Sequence, residues 1–135
     1  MKIWFLVLIA LHTLSGCVSQ TVDKVVGLSP NDEICIINNP AVRKDFENAY
    51  RASIEKMGYK TKLLAVGDSS CEFTSTYVAN YRMHWGTYLS RADLQIFKGN
   101  SLIGRAQYKA PRADPSKHGR VADKIDGLVK ELFSQ

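Results

Sequence analysis

The chain has 135 residues, of which 45% are hydrophobic and 23% charged, and carries a formal net charge of +5. One globular domain accounts for that length. The composition excludes a disordered, collagen-like or low-complexity chain. Three cysteines are too few for a disulfide framework, and the charge is far below that of a nucleic-acid-binding tail.

Residues 1–17 read as an address rather than as structure. Lys2 supplies a short positive segment, and Ile3 to Leu11 form an unbroken apolar run. Crossing hydrocarbon takes roughly 20 apolar residues, so the run is too short for a span and has the layout of a secretory signal. Leu14-Ser15-Gly16-Cys17 resembles the bacterial lipobox: a branched residue, two small ones, then a cysteine. The resemblance implies that residues 1–16 are removed and that Cys17 carries a diacylglyceryl thioether and an acylated amine. The alternative is a plain secreted protein with a chance cysteine near its cleavage site. Several acyl chains on one residue exceed the two-signal threshold for stable anchoring. Val18 stands where an Asp marks inner-membrane retention in enteric-type bacteria, which implies the outer membrane with the domain facing the periplasm. Loss of Lys2 lowers the formal charge from +5 to +4.

Residues 17–32 lack periodicity and end in the turn-like Ser29-Pro30-Asn31-Asp32, so they read as a lipidated tether ahead of one domain at 33–135. Ile34-Cys35-Ile36-Ile37 reads as a strand buried on both faces. Asn39 as N-cap and Pro40 at the first helical position predict a helix start. Val42, Phe46, Ala49, Tyr50, Ile54 and Met57 give it an apolar face, and Gly58 a stop. Tyr59 to Val66 is a second strand, parallel to the first across the helix. From Cys71 to Trp85 the chain alternates, with Phe73, Tyr77, Ala79, Tyr81, Met83 and Trp85 on the inward parity. Gly86-Thr87 permits a turn, and Tyr88 to Lys98 is the next strand. After a turn at Lys98-Gly99-Asn100-Ser101, Leu102 to Ala110 closes the sheet, with Gly104 and Ala106 small enough for a helix to approach closely. Pro111 to Gly119 is a loop. Val121, Ile125, Leu128, Val129, Leu132 and Phe133 make a final amphipathic helix over Arg120 to Phe133. The expected fold is α+β: a mixed four- to five-stranded sheet with two helices on one face, in the order β-α-β-β-β-β-α or β-α-β-β-β-α.

With Cys17 acylated, Cys35 and Cys71 form an even pair in an oxidising compartment, and a disulfide between them is the structural reading. Two buried thiols are the alternative; a catalytic thiol lacks a nearby His. No H-E-x-x-H, G-x-S-x-G, Walker or G-x-G-x-x-G pattern occurs. Asp45, Glu47, Glu55, Asp123 and Asp126 read as solvated charges on the two helices. No catalytic residue, cofactor or metal is expected, and the chain reads as a non-enzyme. Two groups rise above this background. Tyr77, Tyr81, Trp85 and Tyr88, with Phe73, suit either the core or a ligand groove. Arg105, Lys109, Arg112, Lys117 and Arg120, opposed only by Asp114, suit either a solubilising face or an anion patch for phosphate-bearing envelope material. The compartment disfavours nucleic acid.

Cys71-Glu72-Phe73-Thr74-x-x-Tyr77-x-Ala79-Asn80-Tyr81, Trp85-x-x-Tyr88-Leu89-x-x-Ala92 and Phe97-Lys98-Gly99-Asn100-x-Leu102-Ile103-Gly104-x-Ala106-x-Tyr108 together resemble a family of small Gram-negative envelope lipoproteins. The resemblance covers residues 33–133 and carries no known activity. Where that family tends to place an Asp just after the Trp, this chain has Gly86 and Thr87. The predicted order is also similar to that of the lipopolysaccharide-assembly lipoprotein and the N-terminal domain of TolB, a likeness of topology that transfers no function. The expected role is an outer-membrane-anchored binding or assembly module. An accessory subunit of an envelope complex and a carrier of a small or lipidic anionic ligand are its rivals.

Overall fold

Alternation along residues 73–109 folds as three long antiparallel strands in the computed structural model, which describes residues 18–112 and 115–135. The leader 1–16, Cys17 and Asp114 lie outside the described residues. In chain order the elements are β1 Ser19–Asp23, β2 Glu33–Ile37, α1 Lys44–Lys56, β3 Lys60–Leu64, β4 Phe73–Met83, β5 Thr87–Lys98, β6 Ser101–Lys109, a 3-10 turn Pro115–His118 and α2 Val121–Leu132. They form an α+β fold with one mixed sheet in the order β1-β6-β5-β4-β2-β3. β2 runs parallel to β3 and β4; the remaining pairs are antiparallel. The β2-α1-β3 unit is the parallel pair that the sequence predicts.

The sheet has six strands, more than the four or five expected, and the extra one comes from the supposed tether. Ser19 to Asp23 pair with Lys109 to Arg105. Without β1, the outer edge of β6 would present an unpaired row of backbone donors and acceptors. The segment then continues across the helical face. Val25 N donates to Leu132 O at 2.8 Å, Val26 N donates to Ile103 O at 3.1 Å, and Leu28 is buried. Val25, rather than a helix, fills the space above Gly104: a Cβ there would lie 2.5 Å from Val25 Cγ2 and 2.9 Å from its Cα.

Both helices contribute to one core with the inward residues of the sheet. Phe46, Tyr50 and Ile54 of α1 and Ile125, Leu128, Val129 and Leu132 of α2 join Ile34, Ile36, Phe73, Tyr77, Leu94, Ile96 and Tyr108. The helices also meet each other, where Asp126 accepts hydrogen bonds from Ser53 Oγ and from Lys56 Nζ, the latter at 3.2 Å. Among the described residues the opposite sheet face carries no helix, and it is polar. At its centre Asp93 accepts from Arg105 at 3.0 and 2.6 Å and from Gln107 at 3.3 Å.

Three local expectations are corrected. First, α1 begins at Lys44 behind Arg43, not at Pro40. Asn39 does not cap it: its Oδ1 accepts from Ala41 N at 3.1 Å, and its Nδ2 donates to the Tyr77 carbonyl at 2.9 Å. Tying this loop to β4 takes precedence over capping. Second, Glu47 is not solvated but 2% exposed. Its carboxylate accepts from Tyr77 Oη and pairs with Lys44, while Tyr77 Oη accepts from Asn39 N at 3.1 Å. Burial pushes the Tyr77 hydroxyl up to about 12, helped by the carboxylate beside it. Burial also opposes ionisation of Glu47, but the hydrogen bonds from Lys44 and Tyr77 and the charges of Lys44 and Arg51 outweigh it, so its pKa falls below the ordinary value. Third, inward parity ends at a bulge between Asn80 and Tyr81. Beyond it Met83 is 70% and Trp85 92% exposed. Cys35 and Cys71 are bonded, closing 36 residues between β2 and the start of β4.

Three stability measurements check this account. Gly104→Ala should cost about 1–3 kcal/mol in urea unfolding, because Val25 backbone would have to move. Replacing Cys35 and Cys71 together by Ala should cost about 4 kcal/mol on the loop-entropy scale. Glu47→Gln should cost about 1–3 kcal/mol at neutral pH, the range for a buried charge-assisted hydrogen bond. Because the folded Glu47 pKa lies below its unfolded value, its contribution is present above about pH 4.3 and is lost as pH falls through the folded pKa. The acid limb of wild-type stability should therefore be steeper than that of the variant.

Candidate functional site

The β4–β5 hairpin closes through His84, Trp85 and Gly86, with His84 N donating to Gly86 O at 2.9 Å. Trp85 and Gly86 both take positive φ, at 57° and 128°. A tryptophan in the left-handed region is unusual, and it leaves the indole standing out from the tip. Below the tip, Ser90 is the extra residue of the bulge, on β5 opposite the Asn80–Tyr81 step. Its Oγ donates to Asn80 O at 3.0 Å, and its carbonyl accepts from Ala110 N at 2.9 Å.

This register sets a row across four strands on the polar face. Asn80 stands opposite Arg91, Arg91 opposite Lys109, and Lys109 opposite Ser19. With Tyr81, Arg82 and Ser90 the row borders an open cleft of about 660 Å³. Arg82, Arg91 and Lys109 bring three positive charges to it, and none of them forms an ion pair among the described residues. Arg91 acts on Asp93 only through space, and Asp93 is already held by Arg105. Arg43, itself paired with Asp45 at 2.9 Å, lies 5.0 Å from the Tyr81 ring.

On the other side of the hairpin, Lys117 is 3% exposed. Its Nζ meets His84 Nδ1 and the Arg112 carbonyl, and it lies 5.1 Å from the Tyr88 ring. His118 meets the same ring edge-on at 5.7 Å. Burial and the charges of Lys117, Arg112 and His118 hold the His84 imidazole below its ordinary pKa. At neutral pH it is therefore an acceptor for Lys117 rather than a second cation. The contact ties the hairpin base to the 3-10 turn.

The residues expected to form a groove separate. Tyr77 is buried, with its ring centroid 6.0 Å from Phe46 and 5.9 Å from Tyr50. Tyr88 is buried beneath Lys117, Tyr81 is half-buried beside the cleft, and Trp85 is in the open. The hollow that Tyr77 reaches measures about 180 Å³, well short of a drug-sized site. The four rings therefore do not line one groove.

The expected anion patch separates as well. Arg105 is committed to Asp93, Lys117 is buried, and Arg120 lies 4.0 Å from Asp123. Arg112 is exposed near the loop, and Lys109 alone of the five lines the cleft. Arg82 and Arg91 join it, and sequence reasoning missed them as a pair. The signal was the hairpin itself, since folding the chain about Trp85 brings residue 80 beside residue 91.

Arg82, Arg91 and Lys109 give the cleft a positively charged border. Elsewhere the buried carboxylates are consumed in pairs: Glu47 with Lys44, and Asp93 with Arg105. Glu33, Cys35 and Cys71 come within 4.8 Å of one another through their ligand atoms, but the disulfide removes both thiolates as metal ligands.

No protein-family model matches the chain, and no curated protein matches it either. Among solved structures it is similar to a point variant of the PelC dodecamer from Paraburkholderia phytofirmans, with a TM-score of 0.60 at 7% identity over 88% of this chain and 100% of that one. A second crystal form of the PelC dodecamer matches with a TM-score of 0.60 at 6% identity, over 86% of this chain and 94% of that one. A PDZ domain protein from Parabacteroides distasonis matches with a TM-score of 0.47 at 8% identity, over 87% of this chain and 36% of that one. At such identities the PelC likeness is one of fold.

Proposed function

We propose that the chain is an outer-membrane-anchored periplasmic lipoprotein whose domain is a non-enzymatic binding or assembly module. The pairing of the cysteines carries this reading. The chain has three, and Cys35 bonds Cys71. The one left over is Cys17, in the lipobox-like run, where acylation requires a free thiol. The bond also suits an oxidising compartment outside the cytosol. Among the described residues no helix is long and apolar enough to cross a bilayer.

A binding role is favoured over catalysis by the way the carboxylates are spent in structural pairs while the cleft keeps its cations. The rival reading, a subunit of a larger envelope assembly, draws on the dodecameric form of the PelC structures that share the fold. Co-purification after crosslinking in the native envelope separates the two, since a module that acts alone carries no protein partner with it.

Labelling with radioactive palmitate in a Gram-negative host tests the anchor. The wild-type chain should take up label and sediment with outer membranes, and Cys17→Ala should take up none. Label persisting in the variant, or absent from the wild type, would refute the reading.

A further inference from the structure

We propose that the end of the sheet from which Cys17 emerges is a bilayer-docking face, at which Arg82, Arg91 and Lys109 bind lipid phosphates and Trp85 seats in the headgroup boundary. The inference rests on acylation of Cys17 and names the surface that the anchored module presents.

The first support is where the chain leaves the fold. Ser19 begins β1 opposite Lys109, and Cys17 lies two residues earlier. An extended chain advances at most about 3.5 Å per residue, so a lipid on Cys17 would be tethered within about 7 Å of Ser19. That leaves no slack for the domain to stand off from the bilayer. The row Ser19, Lys109, Arg91 and Asn80 crosses neighbouring strands about 4.8 Å apart, so its members lie at similar depth.

The second support is direction. β1 and β5 both run antiparallel to β6, so the Ser19 end of β1 and the Thr87 end of β5 lie at the same end of the sheet. The hairpin tip therefore projects on the side where Cys17 leaves. It carries Trp85 at 92% and Met83 at 70% exposure, with Arg82 next to them in sequence. Tryptophan concentrates at membrane interfaces because its ring is apolar and its N–H is polar.

The third support is charge complementarity. The cleft gathers three cations without an ion-paired carboxylate among the described residues. Basic side chains close to an anionic membrane surface add to a lipid anchor rather than compete with it. An anionic phospholipid surface is thus the occupant that fits the cations, the indole and the tether together.

Trp4, the other of the two tryptophans, is replaced by Phe, so that fluorescence reports Trp85 alone whether or not the leader is removed. The full-length precursor is expressed, and the acylated product is reconstituted into phosphatidylglycerol vesicles with or without bromine on the acyl chains. Trp85 emission should shift to the blue and lose most of its intensity in the brominated vesicles. Arg82→Gln, Arg91→Gln and Lys109→Gln combined should restore most of the emission, as should phosphatidylcholine in place of phosphatidylglycerol. Emission that stays water-like and unquenched in the wild type would overturn the docking face. Quenching indifferent to both the triple variant and the headgroup would overturn the role of the cations. The intact mass of the same preparation shows whether Cys17 is acylated. An acylated but unquenched chain defeats the docking face and leaves the anchor standing. An unacylated chain whose Trp85 is still quenched defeats the anchor alone, and an unacylated, unquenched chain defeats both.

Discussion

The register between β4 and β5 holds the rest of the molecule in place. Side chains in a strand alternate faces, so a slip of one residue in β5 would turn Leu94, the partner of Tyr77, outward and bring Asp93 into the core. Two hydrogen bonds at Ser90 hold this place: its Oγ donates to the Asn80 carbonyl across β4, and its own carbonyl accepts from Ala110 N beyond β6. They sit at the bulge, where alternation is deliberately broken. Below the bulge the parity serves the core; above it the same parity delivers Met83 and Trp85 to the surface. On β4 the irregularity therefore precedes the exposed Met83 and the tip, while on β5 Tyr88 and Leu89 beyond it stay buried.

A second constraint ties the helical layer to that sheet. Tyr77 crosses from β4 to the start of α1, where its hydroxyl donates to Glu47 and accepts from Asn39 N. Tyr50 returns the contact from α1, hydrogen-bonding Ser75 at 2.7 Å. Buried polar groups are costly unless partnered, so these pairs select one seating of α1 on the sheet rather than merely adding attraction. The same network explains why α1 starts late. Asn39 is drawn into the loop contact with β4, and the helix waits for Lys44.

Much of the helical layer is legible from periodicity. The stripe Val121, Ile125, Leu128, Val129 and Leu132 specifies α2 because its spacing admits one buried face. Ile34 to Ile37 followed by Phe46, Tyr50 and Ile54 specifies β2 and α1 in the same way. The first strand escapes that reading. Ser19 to Asp23 are mostly polar and contribute little to the core, and their stability comes from hydrogen bonds to β6 rather than from burial. The cleft escapes it as well. Arg82, Arg91 and Lys109 are ordinary solvated residues until three strands align them, and Arg105 resembles a free cation until Asp93 is seen opposite it.

The amino-acid sequence by itself determined the elements whose side chains repeat at one period: both helices, the parallel pair around α1 and the inward face of β4 up to Ala79. Local spacing is enough there, because burial of one face is the dominant energy. Only the tertiary structure decided the sixth strand, the bulge, the burial of Glu47 and the gathering of the cleft cations. Each of these depends on a partner distant in the chain, through a hydrogen bond or a cross-strand register that no local pattern encodes.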